Sequence, residues 1–166
     1  MEDATTMLGK EWKTIEGEPV ADLASTFAVL VESGPRREVH IGSDSQQDGK
    51  STQFVTVLVA LQPGKGGRAF YCKERSPRIK SLRERLMREV WLSVSLGLEL
   101  SPRLDESCAV TVHIDANPNL KFKSSSYVKE LTSMVVGQGF SALLKPESWA
   151  ASHAADHVVK VKVLGL

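Results

Sequence analysis

Val39-His40-Ile41-Gly42-Ser43-Asp44 and Val110-Thr111-Val112-His113-Ile114-Asp115 each read as a hydrophobic strand ending in an aspartate. Successive side chains of a strand alternate between its faces. Val39 and Ile41 therefore share one face, and His40, Gly42 and Asp44 the other. Val110, Val112 and Ile114 oppose Thr111, His113 and Asp115 in the same way. Laid side by side and parallel, the two strands deliver both carboxylates to one end and one face of a sheet. Two ionised carboxylates that close must share a proton, gain a cation or stand apart in water. A divalent metal is the reading these strands favour.

Outward from the first strand, Glu38 to Ser43, Gln46-Gln47-Asp48-Gly49 makes a turn and Thr52 to Gln62 is a β-rich run. Pro63 to Gly67 is a second turn and Arg68 to Lys73 a third strand; such short links imply antiparallel neighbours. Ser76-Pro77 predicts a helix start, a capping serine followed by proline at the first helical position, and the helix runs to about Leu100. Cys108 to Ile114 is the fourth strand, Ser125 to Val136 a helix closed by Gly137, and Phe140 to Lys145 a short fifth strand. A final helix is expected from Glu147 to about Lys160. Upstream, Pro19 opens a helix with Val20, Leu23, Phe27 and Leu30 at helical spacing, stopped by Gly34-Pro35.

The expectation is one α/β domain over residues 19–166 behind an irregular lead-in of residues 1–18. Its sheet is mixed and five-stranded: three antiparallel strands, then two reached by helical crossovers, with helices on both faces and an extra N-terminal helix. A fourth strand beside the first puts Asp44 and Asp115 at the carboxyl ends, where open α/β sheets bind ligands.

Composition limits the classes. At 166 residues and 42% hydrophobic the chain can bury a core, and its net charge of +1 argues against a basic-tail protein. No apolar run approaches the roughly 20 residues needed to span a bilayer, so no membrane partner is expected. Met1-Glu2-Asp3-Ala4 lacks a signal-peptide layout, and Cys72 and Cys108 have no Cys-x-x-Cys spacing. Both fit a cytoplasmic protein with free thiols.

Two further acids are candidates for the site, although the position of Asp156 depends on how its helix crosses the sheet. Glu89 lies at the edge of the Ile79, Leu82, Leu86, Val90 stripe, and a carboxylate aimed at a sheet needs a partner or a metal. Glu84 is its rival, with Arg88 at i+4 as an alternative partner. Asp156 follows the small-residue stretch Ala150-Ala151-Ser152-His153-Ala154-Ala155. His153 and His157 have zinc-compatible spacing but lack a His-Glu-x-x-His motif, and read as surface histidines. Gly64-Lys65-Gly66-Gly67 is not followed by Ser or Thr, so it is no phosphate-binding loop. Lys73, Arg75, Arg78, Lys80, Arg83, Arg85 and Arg88, with Lys121 and Lys123 after Asp115, are either a solvated face or a polyanion surface.

The element order and the four acids resemble the ribonuclease H-like superfamily. Ile41-Gly42-Ser43-Asp44-Ser45-Gln46, His113-Ile114-Asp115 and Lys145-Pro146-Glu147-Ser148 with Ala150-Ala151-Ser152 are similar to the small bacterial and phage family typified by YkuK. The resemblance implies two divalent cations, Mg2+ or Mn2+, and phosphodiester hydrolysis. Asp44 would bridge both ions, Asp115 and Glu89 complete one shell, and Asp156 the other. Ser45, Gln46, Arg75, Arg78, Lys80, Lys121, Lys123, Lys145, Ser148 and Ser152 would contact the nucleic acid. A metal-dependent nuclease for RNA, RNA–DNA hybrid or structured DNA is the first expectation. A degenerate nucleic-acid-binding module, or a protein-interaction domain using Trp12, Trp91 or Trp149, stands as the alternative. A free edge along Thr52–Gln62 or Arg68–Lys73 leaves a homodimer open.

Overall fold

The computed structural model describes residues 6–32, 37–62, 64 and 66–153. The two aspartate-ending strands pair in parallel, from Glu38 opposite Ala109 to Gly42 opposite His113. Two residues further in that register, Asp44 comes opposite Asp115. Strand β3 (Glu38–Asp48) continues into β4 (Ser51–Gln62) and β5 (Gly66–Pro77) as an antiparallel meander. Its first turn places Gly49 at φ 60°, a left-handed conformation that costs glycine little. On the other side of β3 lies β6 (Ala109–His113), and beyond it, also parallel, β7 (Ser141–Leu143).

Among the described residues the sheet has seven strands rather than five. Strand β1 (Trp12–Thr14) pairs antiparallel with β5, and β2 (Pro19–Val20) pairs with β1. The full order is β2-β1-β5-β4-β3-β6-β7. The expected irregular lead-in therefore carries a strand, anchored by Trp12, which is 2% exposed and donates its indole N–H to the Met7 carbonyl at 2.8 Å. Pro19 sits in the outermost strand, where a missing N–H is tolerated, and helix α1 starts later (Leu23–Glu32). Strand β4 is interior, and β1 pairs with β5 only over Phe70–Cys72, so of the two expected edges only β5 has a stretch without a strand on its outer side among the described residues.

Ser76-Pro77 does not start a helix. Strand β5 stays paired with β4 until Pro77 meets Ser51. Helix α2 (Leu82–Leu100) instead begins after Ser81, whose hydroxyl accepts the Glu84 N–H at 3.2 Å. Helix α3 (Val128–Val136) then links β6 to β7.

The three helices among the described residues pack on one face. Leu23, Phe27, Leu92 and Leu96 meet Val39, Ile41, Phe54 and Leu58, while Leu86, Val90, Leu131 and Val135 meet Val112 and Ile114. On the opposite face Val57, Val59, Leu61 and Ala69 cluster with Trp149. Among the described residues, then, helices cover one face only. Helices on both faces were expected, with a last helix from Glu147 to about Lys160. Its first residues, up to His153, form turns and bends, and the remainder, with Asp156 and His157, lies outside the described residues, as does the Gly34-Pro35 stop. No described helix is long and apolar enough to cross a membrane.

Candidate metal centre

Strand β6 stops at His113 while β3 runs on to Asp48, and three carboxylates converge beside the uncovered part of β3. Asp44 comes from β3, Asp115 from the residues just past β6, and Glu89 from the middle of α2. Each offers an oxygen, all within 4.8 Å of one another. Glu84 is exposed in the first turn of α2 and takes no part.

Electrostatics make this grouping costly without a cation. Glu89 is 4% exposed; its Oε1 accepts the Ser45 hydroxyl at 2.5 Å, while its Oε2 is buried without a hydrogen-bond partner. Burial pushes the Glu89 carboxyl up to about 8, against the opposing pull of Ser45. Burial, then the neighbouring Asp115, raises Asp44 to about 6. Acids held above their usual range by burial and by one another are relieved by a divalent ion. The donor set is all carboxylate oxygen, which suits hard cations such as Mg2+ or Mn2+. The residues fit such an ion.

Lys145 supplies a positive charge of its own. Its ammonium forms an ion pair with Asp115, and that bond raises the lysine's affinity for its proton. The Lys145 backbone N–H donates to the Ala116 carbonyl at 3.0 Å, which fixes the residue alongside Asp115.

Two buried networks aim these groups. Ser43 Oγ lies 2.9 Å from Thr56 Oγ1 and 2.7 Å from Ser93 Oγ, joining β3, β4 and α2. Ser93 is one helical turn beyond Glu89, so the trio keys the rotation of the helix that presents the carboxylate. On the other face His113 holds the loop after β7. Its Nδ1 accepts from the N–H groups of Trp149 (3.0 Å) and Ala150 (3.3 Å). Two donors at Nδ1 place the ring proton on Nε2, which donates to His40 Nδ1 at 2.9 Å. His40 Nε2 then donates to Glu38 at 3.1 Å. Burial lowers the His40 pKa despite Glu38, which keeps the chain of rings neutral at that position.

The loop seats on Gly42. A Cβ there would lie 2.9 Å from Ala150 Cβ and 3.0 Å from the Ala151 nitrogen. Gly42→Ala is therefore expected to cost about 1–3 kcal/mol, read by urea unfolding. Wild-type stability in that variant would show that the loop is not held there. With the loop in place Asp44, Asp115, His113, Ser148 and Ser152 line one pocket.

The other residues expected at the site divide. Ser45 bonds Glu89, Lys145 pairs with Asp115, and Ser148 and Ser152 line the pocket. Arg75 instead pairs with Asp48 at 3.4 Å, and Arg78 donates to the Gly49 carbonyl at 2.7 Å, so both grip the β3–β4 hairpin. Gln46 and Lys80 are exposed, as are Lys121 and Lys123 in the loop after Asp115. Arg83 and Arg88 pair with Glu130 and Glu74. Arg85 was not singled out from the basic run, yet its charge acts on Glu89 and its Nε is buried without a hydrogen-bond partner. Its position one turn before Glu89 was the available signal.

Comparison with known proteins places the chain among relatives. The Ribonuclease H-like family pattern matches residues 27–160, a span that holds all three clustered acids. A protein of Bacillus subtilis (strain 168), described as uncharacterized protein YkuK, is 25% identical over 154 residues, covering 84% of this chain and 90% of the relative. No solved structure shows significant similarity.

Proposed function

This chain belongs to the ribonuclease H-like family, and on that footing we propose that it is a divalent-metal-dependent nuclease. Its substrate is RNA, an RNA–DNA hybrid or structured DNA. The observation that carries this reading is the convergence of Asp44, Glu89 and Asp115, with Glu89 Oε2 buried and without a hydrogen-bond partner. Asp44, Asp115 and Glu89 would hold the cation. The family resemblance adds Asp156 as a fourth acid. Bound Mg2+ or Mn2+ would supply Lewis-acid stabilisation of the phosphoryl charge and a more acidic water.

The chain's own residues do the remaining work. Ser45 holds Glu89 Oε1 and so fixes the carboxylate beside Asp44. Arg85 and Lys145 carry positive charge at two sides of the acids, which lets a phosphodiester approach them. His113 and His40 keep the Ser148–Ser152 loop against the sheet, where its two hydroxyl residues border the pocket. None of these steps requires a proton to move along the histidine pair.

The experiment is cleavage of a labelled panel of single-stranded RNA, RNA–DNA hybrid, duplex DNA and branched DNA, with Mg2+, Mn2+ or EDTA. Metal-dependent product from any member is the expected result. A second reading, a nucleic-acid-binding module with a silent site, is favoured by one observation: the Lys145 ammonium already neutralises Asp115. It predicts salt-sensitive binding and no product with either metal.

A further inference from the structure

The chain leaves Asp115 through a loop whose tip exposes large apolar side chains. Ala116 is fully buried, and its carbonyl is tied to Lys145, so the base of the loop is fastened beside the carboxylates. The Asn117 N–H donates to Ser124 Oγ at 3.0 Å and draws the two arms together. Asn119 N–H donates to Asn117 Oδ1 at 2.9 Å, and the Phe122 N–H to the Asn119 carbonyl at 3.0 Å. The tip is thus built from its own hydrogen bonds. There Leu120 is 92% and Phe122 43% exposed, and the Lys121 ammonium lies 5.3 Å from the centre of the Phe122 ring. Lys123 follows. Leu120 and Phe122 are exposed at one loop tip beside Lys121 and Lys123, an apolar pair rimmed by positive charge.

We propose that this loop binds an unpaired segment of the nucleic acid, Phe122 stacking on an exposed base and Lys121 and Lys123 holding the flanking phosphates. The inference rests on the nuclease reading and narrows its substrate to strands with unpaired nucleotides close to the cut. Charge selects the partner: residues 116–129 contain three lysines and no acid, which suits a polyanion better than a protein surface of mixed sign. Chemistry selects the strandedness, because an aromatic ring stacks on any base whose face is free, whereas a duplex hides those faces. Reach is adequate. Phe122 is seven positions beyond Asp115, a span of at most about 25 Å, so the stacked base lies within a few nucleotides of the carboxylates.

The test compares wild type, Phe122→Ala, Phe122→Trp and the double change Lys121→Ala with Lys123→Ala, on a single-stranded oligonucleotide carrying 2-aminopurine and on its fully paired duplex. Wild type should quench 2-aminopurine fluorescence in the single strand. Phe122→Ala should bind that strand about five- to 150-fold more weakly, the equivalent of the ~1–3 kcal/mol of a base–aromatic stack. Affinity for the duplex should fall less than twofold, and Phe122→Trp should restore both quenching and affinity. The lysine double variant should weaken both substrates and flatten the salt dependence by about two charges. Wild-type affinity in Phe122→Ala, with metal-dependent cleavage intact, would overturn this proposal and leave the nuclease standing. No binding and no cleavage by wild type would remove both. A wild-type dimer in sedimentation that Phe122→Ala dissociates would assign the tip to a second copy of the chain and overturn the proposal as well.

Discussion

Glu89→Gln should stabilise the metal-free protein at pH 8 and abolish its stabilisation by divalent cations. The Glu89 carboxyl is raised from 4.5 to about 8, chiefly by burial. A raised folded-state pKa means that the protonated form is the favoured one inside the fold. Its contribution is complete below about pH 4.5 and is lost as pH climbs through 8. At about 1.36 kcal/mol per unit, this is a loss of roughly 3–5 kcal/mol in the metal-free wild type. Asp44, raised to about 6, adds a smaller loss at lower pH, so the slope between pH 6 and 8 belongs mainly to Glu89. Glutamine is neutral throughout, still accepts the Ser45 hydroxyl, and removes that part of the slope. In wild type Mg2+ or Mn2+ should offset the loss by compensating the carboxylate. Unfolding midpoints at pH 5 and pH 8, with EDTA and with each metal, read both effects. An unchanged slope between pH 6 and 8 in the glutamine variant would exclude Glu89 as its source.

Asp44→Asn and Asp115→Asn should each lower metal-dependent cleavage by about a thousandfold or more, since a lost metal contact forfeits several kcal/mol of transition-state stabilisation. Both replacements keep the side-chain shape. Asparagine at 44 can still accept the Ser45 N–H that Asp44 Oδ1 now accepts at 2.8 Å. It also removes the repulsion that Asp115 exerts on Asp44, so the fold should be retained or slightly strengthened. Far-UV circular dichroism and unfolding curves beside the cleavage assay separate a lost site from a lost fold. Cleavage that persists in both variants would exclude these carboxylates as the reaction centre.

The aspartate pair was legible because strand alternation and parallel pairing are both written in short-range patterns. Glu89 could be found from its place on a helix face, since α2 has a clear apolar stripe. Other features left no such trace. Strands of three and two residues, β1 and β2, are too short to show a period. The far half of β5 reads Lys73-Glu74-Arg75-Ser76-Pro77, a polar run whose strand identity comes from pairing with β4. Arg75 and Arg78 looked like substrate contacts by charge alone, but their partners are on the adjacent hairpin. His113 was visible as a strand residue, but not as the acceptor for backbone groups 36 and 37 positions away. Contacts at that distance are set by packing, and a local pattern does not encode them.

Ser43, Thr56 and Ser93 bear on how this protein can change over generations. All three hydroxyls are buried, and Ser43 bonds to both of the others. Exchanging Ser43 for alanine strands both neighbours, at a cost of about 1–3 kcal/mol for each buried group left unsatisfied, whereas apolar replacement of all the partners can be nearly neutral. A lineage therefore has few single steps away from this arrangement. The rotation of α2 that aims Glu89 is inherited with β3 and β4 as one unit.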